Sequence, residues 1–151
     1  MQSTIKFVRN TFYLITIMAM AQLAGVAQAR DSSQQQSIAD AMSTATAKSY
    51  TGVAFYFGDQ SHAEAKRFIG TYTSKKTTNA FGKSDYEACQ WAFLSAIKSF
   101  HQRALREGGD AVVNITSITT GQPFKSTDHF MCRAGNVVAK VYLQGDVVKL
   151  D

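Results

Sequence analysis

A chain of 151 residues with a net charge of +5 has room for one hydrophobic core and little beyond it. Its 16 basic and 11 acidic side chains are dispersed, which excludes the dense cationic surface that nucleic-acid binding requires. The adjacent basic pairs Lys66-Arg67 and Lys75-Lys76 lack interleaved aromatics and read as solvated surface.

In chain order, Lys6 and Arg9 precede an apolar run from Phe12 to Ala24, broken only by Thr16 and Gln22, and Ala27-Gln28-Ala29 follows. This is the pattern of a secretory signal peptide over residues 1–29, cleaved between Ala29 and Arg30. The run is shorter than the ~20 apolar residues of a spanning helix, so no stable membrane insertion is expected after cleavage. An uncleaved anchor is the other reading of the same run. Cleavage removes Lys6 and Arg9 and leaves 14 basic against 11 acidic residues, a net +3.

Residues 30–37, RDSSQQQS, offer nothing apolar to bury and predict a flexible leader. Residues 38–151 are then a single α+β domain. It opens on a small helix over about 38–48, with Ser37 as cap and Ala39, Ala41, Met42 and Ala45 as its apolar side. A strand is expected over 51–58, where Val53, Phe55 and Phe57 alternate with Ala54 and Tyr56. A second is expected over 68–73, with Phe68, Gly70 and Tyr72 on one face and Ile69, Thr71 and Thr73 on the other. The polar stretch 74–83 reads as a connection.

The strongest signal follows. Ser84 and Glu87 form a capping box, and Asp85 and Glu87 suit the positive end of a helix dipole. Cys89, Ala92, Phe93, Ala96, Ile97, Phe100, Ala104 and Leu105 recur at helical steps and predict one buried stripe. Gly108-Gly109 ends the helix, because glycine takes the left-handed terminal conformation without a Cβ clash. Ala111, Val113 and Ile115 then alternate as the inward face of a strand, with Asn114 and Thr116 outside. Asn114-Ile115-Thr116 matches a glycosylation sequon, a short pattern common by chance and here in mid-strand. After Gly121-Gln122-Pro123, a strand over 127–134 places Phe130, Cys132 and Ala134 together. In the last strand Val137, Ala139, Val141 and Leu143 are out of phase with Val148 and Leu150, which predicts a bulge at Gly145. The expected architecture is a mostly antiparallel sheet with the long helix packed on one face, a β-β-α-β-β-β core preceded by the small helix.

Cys89 on the helix stripe and Cys132 on the same strand face as Phe130 come together when helix packs on sheet. In an exported chain that predicts a Cys89–Cys132 disulfide; two separate buried thiols are the other arrangement the pattern allows. Their spacing is unlike a C-x-x-C redox pair. His62, His101 and His129 are scattered and show no ligand spacing, so no metal site is assigned. No phosphate loop, nucleophile elbow or paired-carboxylate set nominates a cofactor or a reaction.

FYFGDQ (55–60), KSDYEACQWAFLSAI (83–97), EGGDAVVNI (107–115) and AGNVVAKVYLQGDVVKL (134–150) together resemble a family of small secreted bacterial proteins commonly labelled an excinuclease ATPase subunit. The chain has no G-x-x-x-x-G-K-[ST] loop and no zinc-finger cysteine quartet, so the resemblance implies secretion without that activity. The helix followed by GGDAVVNI and the terminal GDVVKL are also similar to the YbjQ-like heavy-metal-binding domain and to the sensor lipoprotein of the Rcs stress pathway. That similarity implies a fold. The expected function is a periplasmic or secreted, non-enzymatic module that interacts with an envelope protein or component, or senses it. A small-ligand or metal-binding module is the alternative.

Overall fold

The computed structural model describes residues 31–150; the expected signal peptide (residues 1–29) and its cleavage point at Ala29 and Arg30 lie outside them. In chain order the elements are β1 (Asp31–Ser37), α1 (Ile38–Met42), α2 (Ala45–Lys48), β2 (Ala54–Phe57), β3 (Arg67–Asn79), α3 (Asp85–Glu107), β4 (Ala111–Ser117), β5 (His129–Gly135) and β6 (Val138–Lys149). The protein is α+β; the described residues form a curled, mostly antiparallel sheet of six strands and one long helix. Among them only β2 and β4 run parallel.

Helix α3 forms where local signals demand it. Ser84 Oγ accepts from the Glu87 amide at 3.2 Å, and Gly108 closes the helix in the left-handed conformation (φ 75°, ψ 23°), as end-capping requires. Its buried row contains Ala88, Ala92, Ala96 and Ala104, whose small side chains let the helix lie close to the sheet. Phe93 fills the centre, stacked on Phe130 of β5 at 4.1 Å and on Phe57 of β2 at 5.9 Å. Leu105, expected in the buried stripe, is 52% exposed; Ala104 takes the core position and Leu105 falls on the flank.

Strand β6 is the axis of the sheet. One edge pairs with β3 along its whole length, from Asn79↔Val138 to Arg67↔Lys149. The other edge is divided: Ala139 and Lys140 pair with β5, and the stretch from Leu143 to Val148 pairs with β4. Side-chain hydroxyls close the gap between these partners. Thr119 Oγ1 donates to the Met131 carbonyl at 2.8 Å and accepts from the Tyr142 amide at 3.0 Å, and Ser117 Oγ accepts from the Met131 amide at 3.0 Å. Buried backbone groups left without a ladder neighbour thus gain partners, which a curled sheet needs at such a fork. Both hydroxyl residues are themselves buried.

Several expectations are corrected. Residues 31–37 are not a free leader: they form β1, antiparallel to β5 with Gln34 opposite Cys132. A ladder needs backbone partners, not apolar side chains, and the inward glutamines bond to the helix. Gln34 Nε2 donates to Cys89 Sγ at 3.4 Å and Gln36 Nε2 to the Asp85 carbonyl at 3.3 Å. The single helix expected over 38–48 is two, because Thr44 caps the second, accepting from the Ala47 amide at 3.2 Å. Strand β3 continues through the polar stretch to Asn79, as an edge strand whose outer residues need no apolar character. Its bulge between Phe68 and Gly70 puts Ile69 and Tyr72, expected on opposite faces, both against the core and leaves Phe68 63% exposed.

The bulge expected at Gly145 lies instead in the partner strand. Between Val113 and Thr116, β4 has one residue more than β6, and Asn114 there takes a positive φ of 55°. The extra residue re-phases β4, so Val112 and Ile115 face the helix while Ala111 and Val113 face the other way. β6 keeps a single phase through Val147. Val148 belongs to a small cluster on the outer face, covered by Tyr56, Ala65 and Leu150.

Candidate functional site

Cys89 and Cys132 form a disulfide, fully buried, that ties α3 to β5. Both thiols are consumed, so neither is available as a nucleophile or metal ligand. The histidines remain apart. His62 lies in the β2–β3 loop with Nδ1 2.8 Å from the Ala63 carbonyl, the ring N–H of His101 donates to the Thr51 carbonyl at 2.7 Å, and exposed His129 begins β5. Among the described residues no three His, Cys, Asp or Glu side chains converge.

Most of the sequence's conspicuous glycines and acids hold the fold. A Cβ on Gly109 would meet Val147 Cγ1 at 2.7 Å and the Val148 carbonyl at 2.9 Å, and one on Gly145 would meet Val112 Cγ1 at 2.9 Å. Asp110 clamps the chain's end, accepting from Lys149 Nζ and the Leu150 amide, each at 2.7 Å. Two residues of the same motifs point outward instead. Asp146 accepts from Thr71 Oγ1 at 2.6 Å and from Asn114 Nδ2 at 2.8 Å. One carboxylate therefore joins β3, β6 and β4 on the face away from the helix, and Asn114 reaches it from its left-handed bulge position, which asparagine tolerates better than other side chains.

Asn114 and Asp146 line a depression of about 320 Å³ with Thr116, Gln144 and Lys125. The segment 118–123 forms its rim, turned back by the Ser117–Phe124 bridge, whose two amide-to-carbonyl bonds measure 3.1 and 2.7 Å. On the far side of that rim a second depression of about 570 Å³ holds Lys75, Arg133, Tyr142 and Thr120. Lys75 Nζ sits 5.8 Å from the Tyr142 ring centre. Arg133 is shared with Asp31, which accepts from its Nε at 3.2 Å. That hydrogen bond holds the Asp31 carboxyl below its ordinary value.

The two depressions share Ile118 and Pro123 and make one groove along the outer face of β6. One end presents amide, hydroxyl and carboxylate groups fixed by mutual bonds; the other presents cations around an aromatic ring. Such a surface orients polar ligands by hydrogen bonds and packs a ring or acyl group on Tyr142. A separate cleft of about 490 Å³ between α1, β2 and the start of β5 is lined by Met42, Phe55 and His129. Its Gln60 is committed to the Phe57 amide at 2.7 Å.

The sequence nominated the disulfide and missed the groove. Asn114 drew notice only as an outward strand residue and a sequon, and Asp146 only within the GDVVKL motif, because their association depends on the β4 bulge. Comparisons with family models, with curated proteins and with solved structures returned no match.

Proposed function

We propose that this protein is an exported, non-enzymatic binding module of the cell envelope whose outer-face groove takes an acidic, hydroxyl-rich glycan. The observation that carries this is the Thr71–Asp146–Asn114 constellation, a set of polar groups held in place before any ligand arrives. Pre-set planar amide and carboxylate groups accept and donate to vicinal hydroxyls at little ordering cost. Lys75 and Arg133 at the other end suit a carboxylate on the same ligand, and Tyr142 between them suits a sugar face or an acetyl group. The signal-peptide pattern of residues 1–29 and the Cys89–Cys132 disulfide support a compartment where such glycans occur. This reading joins envelope interaction with small-ligand binding; metal binding, which the fold similarity and the scattered histidines and cysteines suggested, is left aside because Cys89 and Cys132 are bonded to each other.

The test is an amide-shift titration of the isotopically labelled protein with a soluble N-acetylhexosamine disaccharide bearing a carboxylate. Shifts should concentrate at Asn114, Thr116, Tyr142 and Gln144, and Asp146→Asn should weaken binding by roughly tenfold, the worth of one charge-assisted hydrogen bond. Saturating ligand that moves none of these amides would remove the glycan reading.

A further inference from the structure

We infer that the open edge of β2 takes up an extended peptide of another protein as an added strand. The peptide seats an apolar side chain in the cleft between α1, β2 and the start of β5, and places a lysine or arginine beside Asp128. Among the described residues β1, β2 and β3 each pair along one side only. Two of these edges carry the polar and charged groups that discourage a further strand. β3 holds Arg67, Lys75 and Lys76, and β1 is DSSQQQS, polar throughout. β2 is AFYF, with no charge and no proline.

The bonds of β2 to its neighbour fix which backbone groups face outward. The Ala54 amide donates to the Asp110 carbonyl at 2.8 Å and the Gly58 amide to the Ile115 carbonyl at 3.0 Å, so the alternate residues Phe55 and Phe57 turn their N–H and C=O groups to the open side. Gln60 already stands in as a strand neighbour for Phe57. Its side-chain carbonyl accepts from the Phe57 amide at 2.7 Å, and its own amide donates to the Phe57 carbonyl at 3.0 Å. Phe55, one step earlier on the same side, has no such cap among the described residues, and it lines the cleft.

The cleft, about 490 Å³, is of the size that holds a ligand. Its floor is Ile38 and Phe57, both buried, with Met42 and Phe55 half-buried. Outward backbone groups beside an apolar pocket are what strand addition uses: main-chain bonds hold the peptide, and the pocket selects its side chain. A lipid chain or a lone apolar ring would leave the Phe55 N–H and C=O unmatched. The far wall, α1 and residues 127–129, admits one extended chain; β2 of a second copy stands inside its own cleft and cannot enter. Charge then selects the peptide. Asp128 is exposed, lines the cleft and accepts from the Thr127 hydroxyl at 3.0 Å, which leaves carboxylate lone pairs for a cation. The nearby Lys125 is paired with Asp59 instead.

The experiment is amide shift and exchange mapping of the labelled protein with a pool of blocked hexapeptides. These carry phenylalanine, leucine, isoleucine or valine at the third position, lysine at the fourth or fifth, and threonine elsewhere. The Phe55 amide should shift and its exchange slow at least about tenfold, while Asn114 and Gln144 in the groove stay unmoved. Backbone N-methylation of the peptides should abolish the effect. Ala39→Trp, at an exposed position that lines the cleft, should weaken binding at least about tenfold by filling it. Asp128→Lys should weaken it about two- to fivefold and turn the preference to a pool with glutamate in place of lysine. An unmoved Phe55 amide with the pool at millimolar concentration, equal binding of the N-methylated pool, or a dimer formed through β2 would each overturn the assignment. Glycan titration reads the outer face, so its outcome and this one are independent.

Discussion

Replacing Cys89 and Cys132 together by alanine removes the cross-link between α3 and β5, whose sequence separation is 43. In the chain-entropy account, opening a loop of that length releases the unfolded state by about 4 kcal/mol at 25 °C. Both sulfurs are fully buried, and Gln34 Nε2 also loses the Sγ it points to, so the folded state gains nothing in compensation. Against a typical domain stability of about 5–15 kcal/mol, the variant should be marginal. Equilibrium urea unfolding followed by circular dichroism, with intact thiol counts checked by mass, is the assay. With an m value of about 1–2 kcal/mol per molar, the midpoint should fall by roughly 2–4 M. A fall worth less than about 1 kcal/mol would refute the reasoning. It would mean that the unfolded chain holds these segments together without the bond.

Three further outcomes follow from the packing. Gly109→Ala places a methyl against Val147 Cγ1 and the Val148 carbonyl and should cost about 2–3 kcal/mol, read as a lower thermal midpoint. Thr119→Val removes the hydroxyl that joins Met131 to Tyr142 and should cost about 2 kcal/mol, while Thr119→Ser stays within about 0.5 kcal/mol. Asp31 has its pKa lowered by the Arg133 hydrogen bond, so its contribution is fully present above the unfolded-state carboxylate value. It is lost as pH falls through the lower folded value. Amide exchange in β1 should therefore show weaker protection on acidification below the ordinary carboxylate range, and Arg133→Gln should flatten that dependence.

What could be read from the residues was what local chemistry determines. The Ser84 cap, the helical spacing through Phe100 and the Gly108 stop are each set within a few residues, and α3 runs from Asp85 to Glu107 accordingly. The cysteine pairing was legible because one helix stripe and one strand face must meet in a two-layer fold. Strand β1 and the second half of β3 were not legible. DSSQQQS and SKKTTN have the composition of loops, and only a pairing partner distant in sequence makes them strands: β5 for one, β6 for the other. The β4 face was misread for a related reason. Val112 faces the core and Val113 the opposite cluster because of a single bulged residue, Asn114, which nothing in a period-two pattern announces. That residue is also what brings Asn114 to Asp146, so the candidate site was hidden by the same irregularity that builds it.

The measurement that tests the account most directly is photo-crosslinking from the groove in the native compartment. A photoactivatable side chain at exposed Gln144, followed by mass analysis of the adduct, is predicted to return a processed chain carrying a carboxylated saccharide. A peptide adduct, or a chain still bearing residues 1–29 and no adduct, would contradict an exported glycan-binding module.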